Sequence, residues 1–164
     1  MESDQKLSRL GAAVGRYLLR REWTLATAES CTGGWVAKAI TDVAGSSQWF
    51  IEGWVTYGNE SKQLRLGVPR AVLQRHGAVS EAVVAAMARG ALRRSGATRA
   101  LAVSGIAGPG GAVEGKPVGT VWFAWAIRAG SGVRVRTALK RFRGDRAAVR
   151  RRAAEFALQG VLGS

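Results

Sequence analysis

One junction constrains the fold of this chain more than any other stretch. Trp23, Leu25 and Ala26 read as the end of a short strand, placed at about 24–29, and Trp35, Val36, Ala39, Ile40 and Val43 then recur at helical spacing. Between them lies Thr27-Ala28-Glu29-Ser30-Cys31-Thr32-Gly33-Gly34, a run of mostly small residues that carries the chain off a sheet edge and into a helix. Such a unit belongs to α/β proteins, whose ligands collect at the carboxyl ends of the strands. A nucleophilic side chain at this place has its hydroxyl clear of the sheet and free backbone N–H groups beside it. The positive end of a helix dipole also faces any developing oxyanion. The turn has a plain reading too, with Ser30 or Thr32 capping the helix and the glycines as punctuation.

The rest of the chain repeats the alternation. Residues 6–21 form a first helix with Leu7, Leu10, Val14, Tyr17 and Leu18 on one apolar face. The glycine-led helix runs to about 43. After the loop Gly45-Ser46-Ser47, Phe50 to Tyr57 is a second strand rich in aromatic and β-branched residues. Asn59 is placed to cap a short helix, Glu60 to Leu66, that Gly67 closes, and Pro69 opens another ending near Gly77. Ser80 caps a longer helix, Glu81 to Ser95, with Val83, Val84, Met87 and Leu92 inward. Ala100 to Ser104 is a buried strand, followed by the long Gly/Pro-rich stretch from Gly105 through Gly111 to Lys116-Pro117. Val118 to Ile127 and about Val133 to Phe142 are strands close enough to form an antiparallel hairpin through Gly130-Ser131-Gly132. Asp145 caps a closing helix carrying Val149, Ala153, Phe156 and Val161. The expectation is one α/β domain over 1–164, its mixed sheet covered on both faces.

Composition narrows the function classes. Apolar content of 47% and charged content of 22% are those of a soluble globular protein, and no apolar run approaches the roughly 20 residues of a membrane span. Met1 to Lys6 does not read as a signal peptide. A single cysteine forms no intrachain disulfide and suits a cytoplasmic setting. With Cys31 and His76 the sole residues of their kinds, no zinc cage is expected, and no cofactor is called for. The net charge is +14, and Arg134 to Arg152 holds nine basic residues against the single acid Asp145. Arginine and alanine are abundant throughout and the basic residues fall at mixed spacings. We therefore read the charge as support for non-specific contact with nucleic acid rather than a dedicated footprint.

Four segments line up, three of them at predicted strand-to-helix or strand-to-loop edges: the Ser30 turn, Thr56-Tyr57-Gly58-Asn59-Glu60-Ser61-Lys62, Ser104-Gly105-Ile106-Ala107-Gly108-Pro109-Gly110-Gly111, and Phe142-Arg143-Gly144-Asp145-Arg146. With Gly45-Ser46-Ser47, Gly77-Ala78-Val79-Ser80 and Lys116-Pro117-Val118-Gly119-Thr120-Val121, they resemble the CinA C-terminal domain family in the family's order, from about Leu25 to Arg150. Characterised members are nicotinamide-nucleotide amidases. The resemblance implies a stand-alone form without the molybdopterin-binding-like domain of longer members. It implies a three-layer α/β/α fold with a mostly parallel sheet ending in the hairpin, and commonly a homodimer. It also implies conversion of nicotinamide mononucleotide to nicotinic acid mononucleotide and ammonia, a step of NAD salvage.

Amide hydrolysis needs a nucleophile, a base, an oxyanion site and a proton for the leaving ammonia. His76, in a helix-end Arg-His-Gly segment, reads as a last-turn cap, so a lysine of lowered pKa is the candidate base. Lys62 stands just beyond a strand end and matches the lysine of the family's Tyr-x-Asn-x-x-Lys pattern, whereas Lys6 and Lys38 lie on polar helix faces. Ser30 matches the family's catalytic serine. Cys31, a thiol at a helix start, is the rival nucleophile, with core packing as its other role. Tyr57 is placed to hold Lys62 or relay a proton, or else to be structural. Ser47 is a hydrogen-bonding candidate. Glu29 either orients the amide or Lys62, or accepts a backbone bond at the turn. For the phosphate, the Gly105–Gly111 loop, with Ser104, Ala107 and Gly108, turns N–H groups inward; Thr32, Gly33 and Arg146 add donors, and Arg143 reads as solvated.

Two positions depart from the family pattern. Ser104 replaces a threonine, and Glu52-Gly53-Trp54 replaces a Gly-Gly-hydrophobic run, which places bulk and charge near the expected pocket wall and bears on substrate preference. The six tryptophans read as core or interface residues, with Trp54 also a stacking surface for a pyridine ring. Three other functions stay open: an amidase for another small amide, a silent nucleotide- or protein-binding member of the fold, and a basic DNA-associated protein.

Overall fold

The structure, a computed structural model, describes residues 2–163, with side chains from Gln5; Met1 and Ser164, the ends of the expected 1–164 domain, lie outside the described residues. The chain runs α1 (Glu2–Leu19), β1 (Leu25–Glu29), α2 (Trp35–Thr41), a 3-10 turn (Ser46–Gln48), β2 (Phe50–Val55), α3 (Asn59–Leu66), α4 (Arg70–His76), α5 (Glu81–Ser95), β3 (Arg99–Gly105), β4 (Thr120–Ala129), β5 (Gly132–Arg141) and α6 (Arg146–Val161). The five strands form one sheet in the order β2-β1-β3-β4-β5. β1 pairs in parallel with both β2 and β3, while β4 is antiparallel to β3 and to β5. Four strands thus share a direction and β4 alone is reversed. The result is the three-layer α/β/α sandwich with a closing hairpin.

The period-2 rule of strands sorts the core into two unequal halves. Toward α1, α2 and α6 the three central strands send Leu25, Leu101, Val103, Val121, Phe123 and Trp125. Toward α5 they send Ala26, Ala28, Ala100, Ala102, Ala124 and Ala126, which meet Val83, Val84, Met87 and Leu92. Small side chains let a helix come close to a sheet, and α5 lies across β1, β3, β4 and β5. It is equally close to α3, because a Cβ on Gly90 would stand 1.9 Å from the Leu66 carbonyl oxygen. α3 is therefore seated on α5 by a glycine.

Several helix ends follow local chemistry. Ser80 accepts the Val83 N–H and Asp145 accepts the Ala148 N–H, as their N-cap positions require. Gly67 and Gly96 close α3 and α5 in the left-handed region. Asn59 is not the cap of α3. Gly58, in extended conformation, takes the N-cap position without a side-chain bond, and Asn59 is the first helical residue. The hairpin strands begin two residues later than the spacing suggested for β4, because Gly119 donates to the Ile106 carbonyl and Thr120 opens the ladder. Phe156 is half-buried against the core rather than enclosed. Among the described residues no helix is long and apolar enough to cross a membrane.

Candidate active site

The strand order 2-1-3 makes the carboxyl ends of β1 and β3 a topological switch point, where successive crossovers leave on opposite faces and a crevice opens. Ser30 emerges there. Its N–H donates to the Val103 carbonyl at 3.0 Å, and the Thr56 N–H donates to the Glu29 carbonyl at 2.9 Å, so the ladders on both sides of β1 run up to the Ser30 turn. Ser30 is 8% exposed and lines a cavity of about 270 Å³, near the lower end of small-molecule sites at roughly 300 Å³.

Lys62 is wholly buried. Its Nζ lies 3.1 Å from Ser30 Oγ, 2.6 Å from the Thr56 carbonyl oxygen and 3.1 Å from the Tyr57 carbonyl oxygen. Burial lowers its pKa from an ordinary 10.5 to about 8. A neutral amine has two N–H donors and one lone pair. As an ammonium, Nζ donates to all three oxygens; once it is deprotonated, the two carbonyls, acceptors only, take both N–H groups and leave the lone pair for the Ser30 hydroxyl. That is the arrangement of a base beside a nucleophile. Cys31 lines the same cavity, but burial first and the Glu29 carboxylate second push its thiol up to about 12. A thiol held that high is no thiolate near neutrality.

The other cavity walls come from distant elements. Ser104, Gly105, Ala107 and Gly108 form one side and Ala78 and Val79 another. Ser104 is 1% exposed and its hydroxyl donates to the Ala78 carbonyl at 2.8 Å, so it braces one wall against another. At Gly105 a Cβ would meet the Thr120 carbonyl oxygen at 2.8 Å, so only glycine lets this strand end lie flat on β4. Among the described residues, no protein acceptor takes the N–H groups of Ala107, Gly108, Gly110 or Gly111. Arg146, from the first turn of α6, spans the mouth: Nη1 donates to the Gly108 carbonyl at 2.8 Å and Nη2 to the Tyr57 hydroxyl at 3.0 Å. Tyr57 thus offers its backbone carbonyl to Lys62 and its ring, 59% exposed, to the mouth.

Four residues read from the sequence as substrate contacts do not line this cavity. Glu29 is fully buried and its two carboxylate oxygens accept the Val36 and Ala37 N–H groups at 2.9 and 3.0 Å. It caps α2 from the neighbouring strand, where the local N-cap, Gly34, has no side chain to do so. Of the two roles open to Glu29, the backbone bond is the one formed. Thr32 is fully buried, and Gly33 lines a second cleft of about 510 Å³ on the far side of the turn, with Gly34, Trp35, Lys38 and Arg150. This larger cleft is lined by neither Ser30 nor Lys62. Ser47 is exposed on the 3-10 turn. Glu52, Gly53 and Trp54 are likewise off the cavity wall, because β2 is the edge strand and Trp54 packs toward the alanine side of the core. His76 ends α4, and its carbonyl accepts from Lys116 Nζ at 2.9 Å. Lys38 pairs with Asp42 and Lys6 with Glu155, both away from the cavity. Arg143 is exposed.

One contact was absent from the sequence reading. Arg150 Nε donates to the Cys31 carbonyl at 3.1 Å and Nη2 to the Thr32 carbonyl at 3.2 Å, across 119 and 118 residues of chain. The signal that points to it is spacing: Arg150 follows Arg146 by four, so both project from the same side of α6. Among the described residues no three His, Cys, Asp or Glu side chains stand together as a metal site.

Comparison with known proteins places this geometry. The sequence profile of the CinA C-terminal domain matches residues 7–164. The chain is 55% identical over 157 residues to the nicotinamide-nucleotide amidohydrolase PncC of Escherichia coli strain K12, covering 96% of this chain and 93% of that one. A protein of the same name from Pseudomonas putida is 51% identical over 156 residues, 95% of each chain. The crystal structure of a competence-damaged protein (CinA) superfamily protein from Klebsiella pneumoniae 700603 superposes with a TM-score of 0.91 at 42% identity, over 96% of both chains. Sequence and architecture agree over nearly the whole length, and the chain belongs to the CinA C-terminal domain family.

Proposed function

We propose that this chain is a nicotinamide-nucleotide amidohydrolase that converts nicotinamide mononucleotide to nicotinic acid mononucleotide and ammonia, with Ser30 as nucleophile and Lys62 as base. The curated relatives with the amidohydrolase name, alike along nearly their entire length, support the reaction. The observation that carries the mechanism is the buried Lys62 amine 3.1 Å from Ser30 Oγ, its other partners being carbonyls.

Lys62 takes the Ser30 proton as Oγ attacks the carboxamide carbon, and the carbonyl π pair moves to oxygen. Collapse of that oxyanion breaks the C–N bond, and the proton held by Lys62 leaves with the amine as ammonia. Water then enters, gives its proton to the neutral Lys62 and attacks the acyl-Ser30 ester; as the ester C–O bond breaks, Lys62 hands that proton to Ser30 Oγ, releasing the carboxylic acid and restoring the serine and the free amine. The unpaired N–H groups of Ala107, Gly108, Gly110 and Gly111 and the guanidinium of Arg146 suit the phosphate. Tyr57 closes the mouth over the substrate through Arg146. No step uses a metal or a cofactor.

The same reading places the enzyme in NAD salvage in the cytoplasm, as a homodimer. The edge strand β2 leaves Ile51 48% and Val55 50% exposed, a surface that a second copy would cover. Ammonia release from nicotinamide mononucleotide by wild type and by Ser30→Ala, Lys62→Ala and Cys31→Ala tests the assignment. Loss in the first two and retention in the third is the expected result. Activity lost only in Cys31→Ala moves the nucleophile, and saturable binding without ammonia from wild type leaves a silent binder.

A further inference from the structure

The turn after β1 is held from outside the catalytic pair. Gly33 N–H donates to the Ser30 carbonyl at 3.0 Å, which makes Ser30-Cys31-Thr32-Gly33 a closed four-residue turn. Its two central carbonyls, Cys31 and Thr32, are the pair bound by Arg150 at 3.1 and 3.2 Å; the Thr32 carbonyl is shared with the Trp35 N–H at 3.1 Å, whereas the Cys31 carbonyl has Arg150 as its donor. Contact is close at the corner as well: a Cβ on Gly33, whose φ is +61°, would lie 3.0 Å from Arg150 Nη2. Every carbonyl of the turn from Ser30 to Thr32 therefore has a fixed donor.

Peptide planarity converts this into a statement about donors. The sole cis peptide among the described residues is Gly108–Pro109, so the N–H of each turn peptide points opposite to its carbonyl. With the Ser30 carbonyl held by Gly33, the Cys31 N–H is directed away from that bond; among the described residues no carbonyl takes it, and its near acceptor is the residue's own thiol sulfur, a weak one that an oxyanion would displace. Cys31 lines the reaction cavity beside Ser30. The residue after a nucleophile on a strand-to-helix turn is where hydrolases of sheet-edge type take an oxyanion donor.

We propose that Arg150 is the positioning residue of this turn: from α6 it clamps the Cys31 and Thr32 carbonyls, keeping the Ser30 hydroxyl on Lys62 and the Cys31 N–H aimed at the oxygen that gains charge. The inference rests on the amidase reading above. Arg150 touches neither substrate nor reacting atoms. Its effect is on kcat, because the donor geometry matters most when the oxyanion forms.

The second cleft supplies a clean test. It is about 510 Å³, opens to solvent and is lined by Arg150, Gly33, Gly34 and Trp35, so truncating Arg150 leaves room for a small cation where the guanidinium was. Ammonia release from nicotinamide mononucleotide is measured for wild type, Arg150→Ala and Arg150→Lys, together with melting temperature, and for Arg150→Ala with millimolar guanidinium chloride. We expect kcat of Arg150→Ala to fall about 10- to 100-fold with KM changed less than about threefold, below the full loss of one oxyanion donor, roughly 10²- to 10³-fold. Guanidinium should restore at least about fivefold of that loss and leave wild type unchanged, whereas Arg150→Lys, with a point charge instead of a fork, recovers only part. An Arg150→Ala protein with wild-type kcat overturns the inference while the amidase reading stands. So does a variant whose loss follows its melting temperature and ignores guanidinium. A folded wild type that releases no ammonia overturns the reading and this inference with it.

Discussion

On one face of the sheet the central strands present six alanines to α5; on the other they present Leu25, Leu101, Val103, Val121, Phe123 and Trp125 to α1, α2 and α6. At the carboxyl end of β1 the same division continues. Ser30 reaches Lys62 of α3, which rides on α5, while Glu29 and Cys31 face α2 and α6. The alanine side lets a helix approach closely enough to bring a lysine amine under a strand end. The large-residue side supplies the cap and clamp that hold the turn. The proposed dyad thus sits where side chains are small, and the cap and the proposed clamp where they are large.

The most severe way to break this division is at the dyad. Ser30→Ala and Lys62→Met should each lower kcat for ammonia release by about 10³-fold or more, with the folded state retained. An active Lys62→Met would mean that the alanine side does not supply the base. Next in size is the seat of α3. Gly90→Val puts a side chain against the Leu66 carbonyl, so α3 must move; kcat should fall about 10- to 100-fold, with a stability loss of about 1–3 kcal/mol by urea unfolding. Leu101→Ala on the opposite face should lose about 2–5 kcal/mol yet leave kcat of the folded enzyme within about threefold. Equal effects on kcat from the two substitutions would erase the contrast.

The pH profile sharpens the same comparison. With Lys62 titrating at about 8, kcat/KM should climb about tenfold per pH unit below that value and flatten above it. Stability follows the opposite bookkeeping of protons. Below about pH 8 the amine is charged in both folded and unfolded chains, and its burial penalty is complete. Between about 8 and the ordinary 10.5 the unfolded chain still holds the proton that the folded one has released, so wild-type stability rises with pH relative to Lys62→Met, by up to about 3 kcal/mol. Denaturant titrations of both proteins at pH 7 and 10 check the sign.

The smallest effects belong to the scaffold side. Glu29→Gln should weaken the cap of α2 by about 1 kcal/mol. It should also lower the Cys31 thiol from its raised value, read as faster alkylation at high pH, because the Glu29 carboxylate is one of the groups holding it up. Cys31→Ala should leave kcat within about threefold.

Patterns local in sequence were readable. Helical spacing located the longer helices, glycine and proline punctuation the two short ones, and apolar, aromatic and β-branched runs the strands, while Ser80 and Asp145 announced their helices because an N-cap bond spans only three residues. The cavity partners Ser30, Lys62, Tyr57, Ser104, Gly105, Ala107, Gly108 and Arg146 were marked by the strand-end rule and the family resemblance. Glu29 was marked too, but its role was open, since the same carboxylate serves a substrate or a helix end depending on which way the strand faces. Arg150 was not marked: its spacing of four from Arg146 puts it on the same side of α6, but in an arginine-rich helix that spacing does not name the two carbonyls it meets.

The sequence by itself determined the alternation of elements and the small-residue turn, which follow from side-chain size and spacing along a few residues. Only the tertiary structure decided that Lys62, wholly buried, stands 3.1 Å from Ser30, that Glu29 turns inward to cap α2, and that Arg150 closes on the turn from α6. Those outcomes depend on how far apart two helices settle on opposite faces of one sheet. That distance is set by the packing of dozens of side chains at once and is written in no single segment.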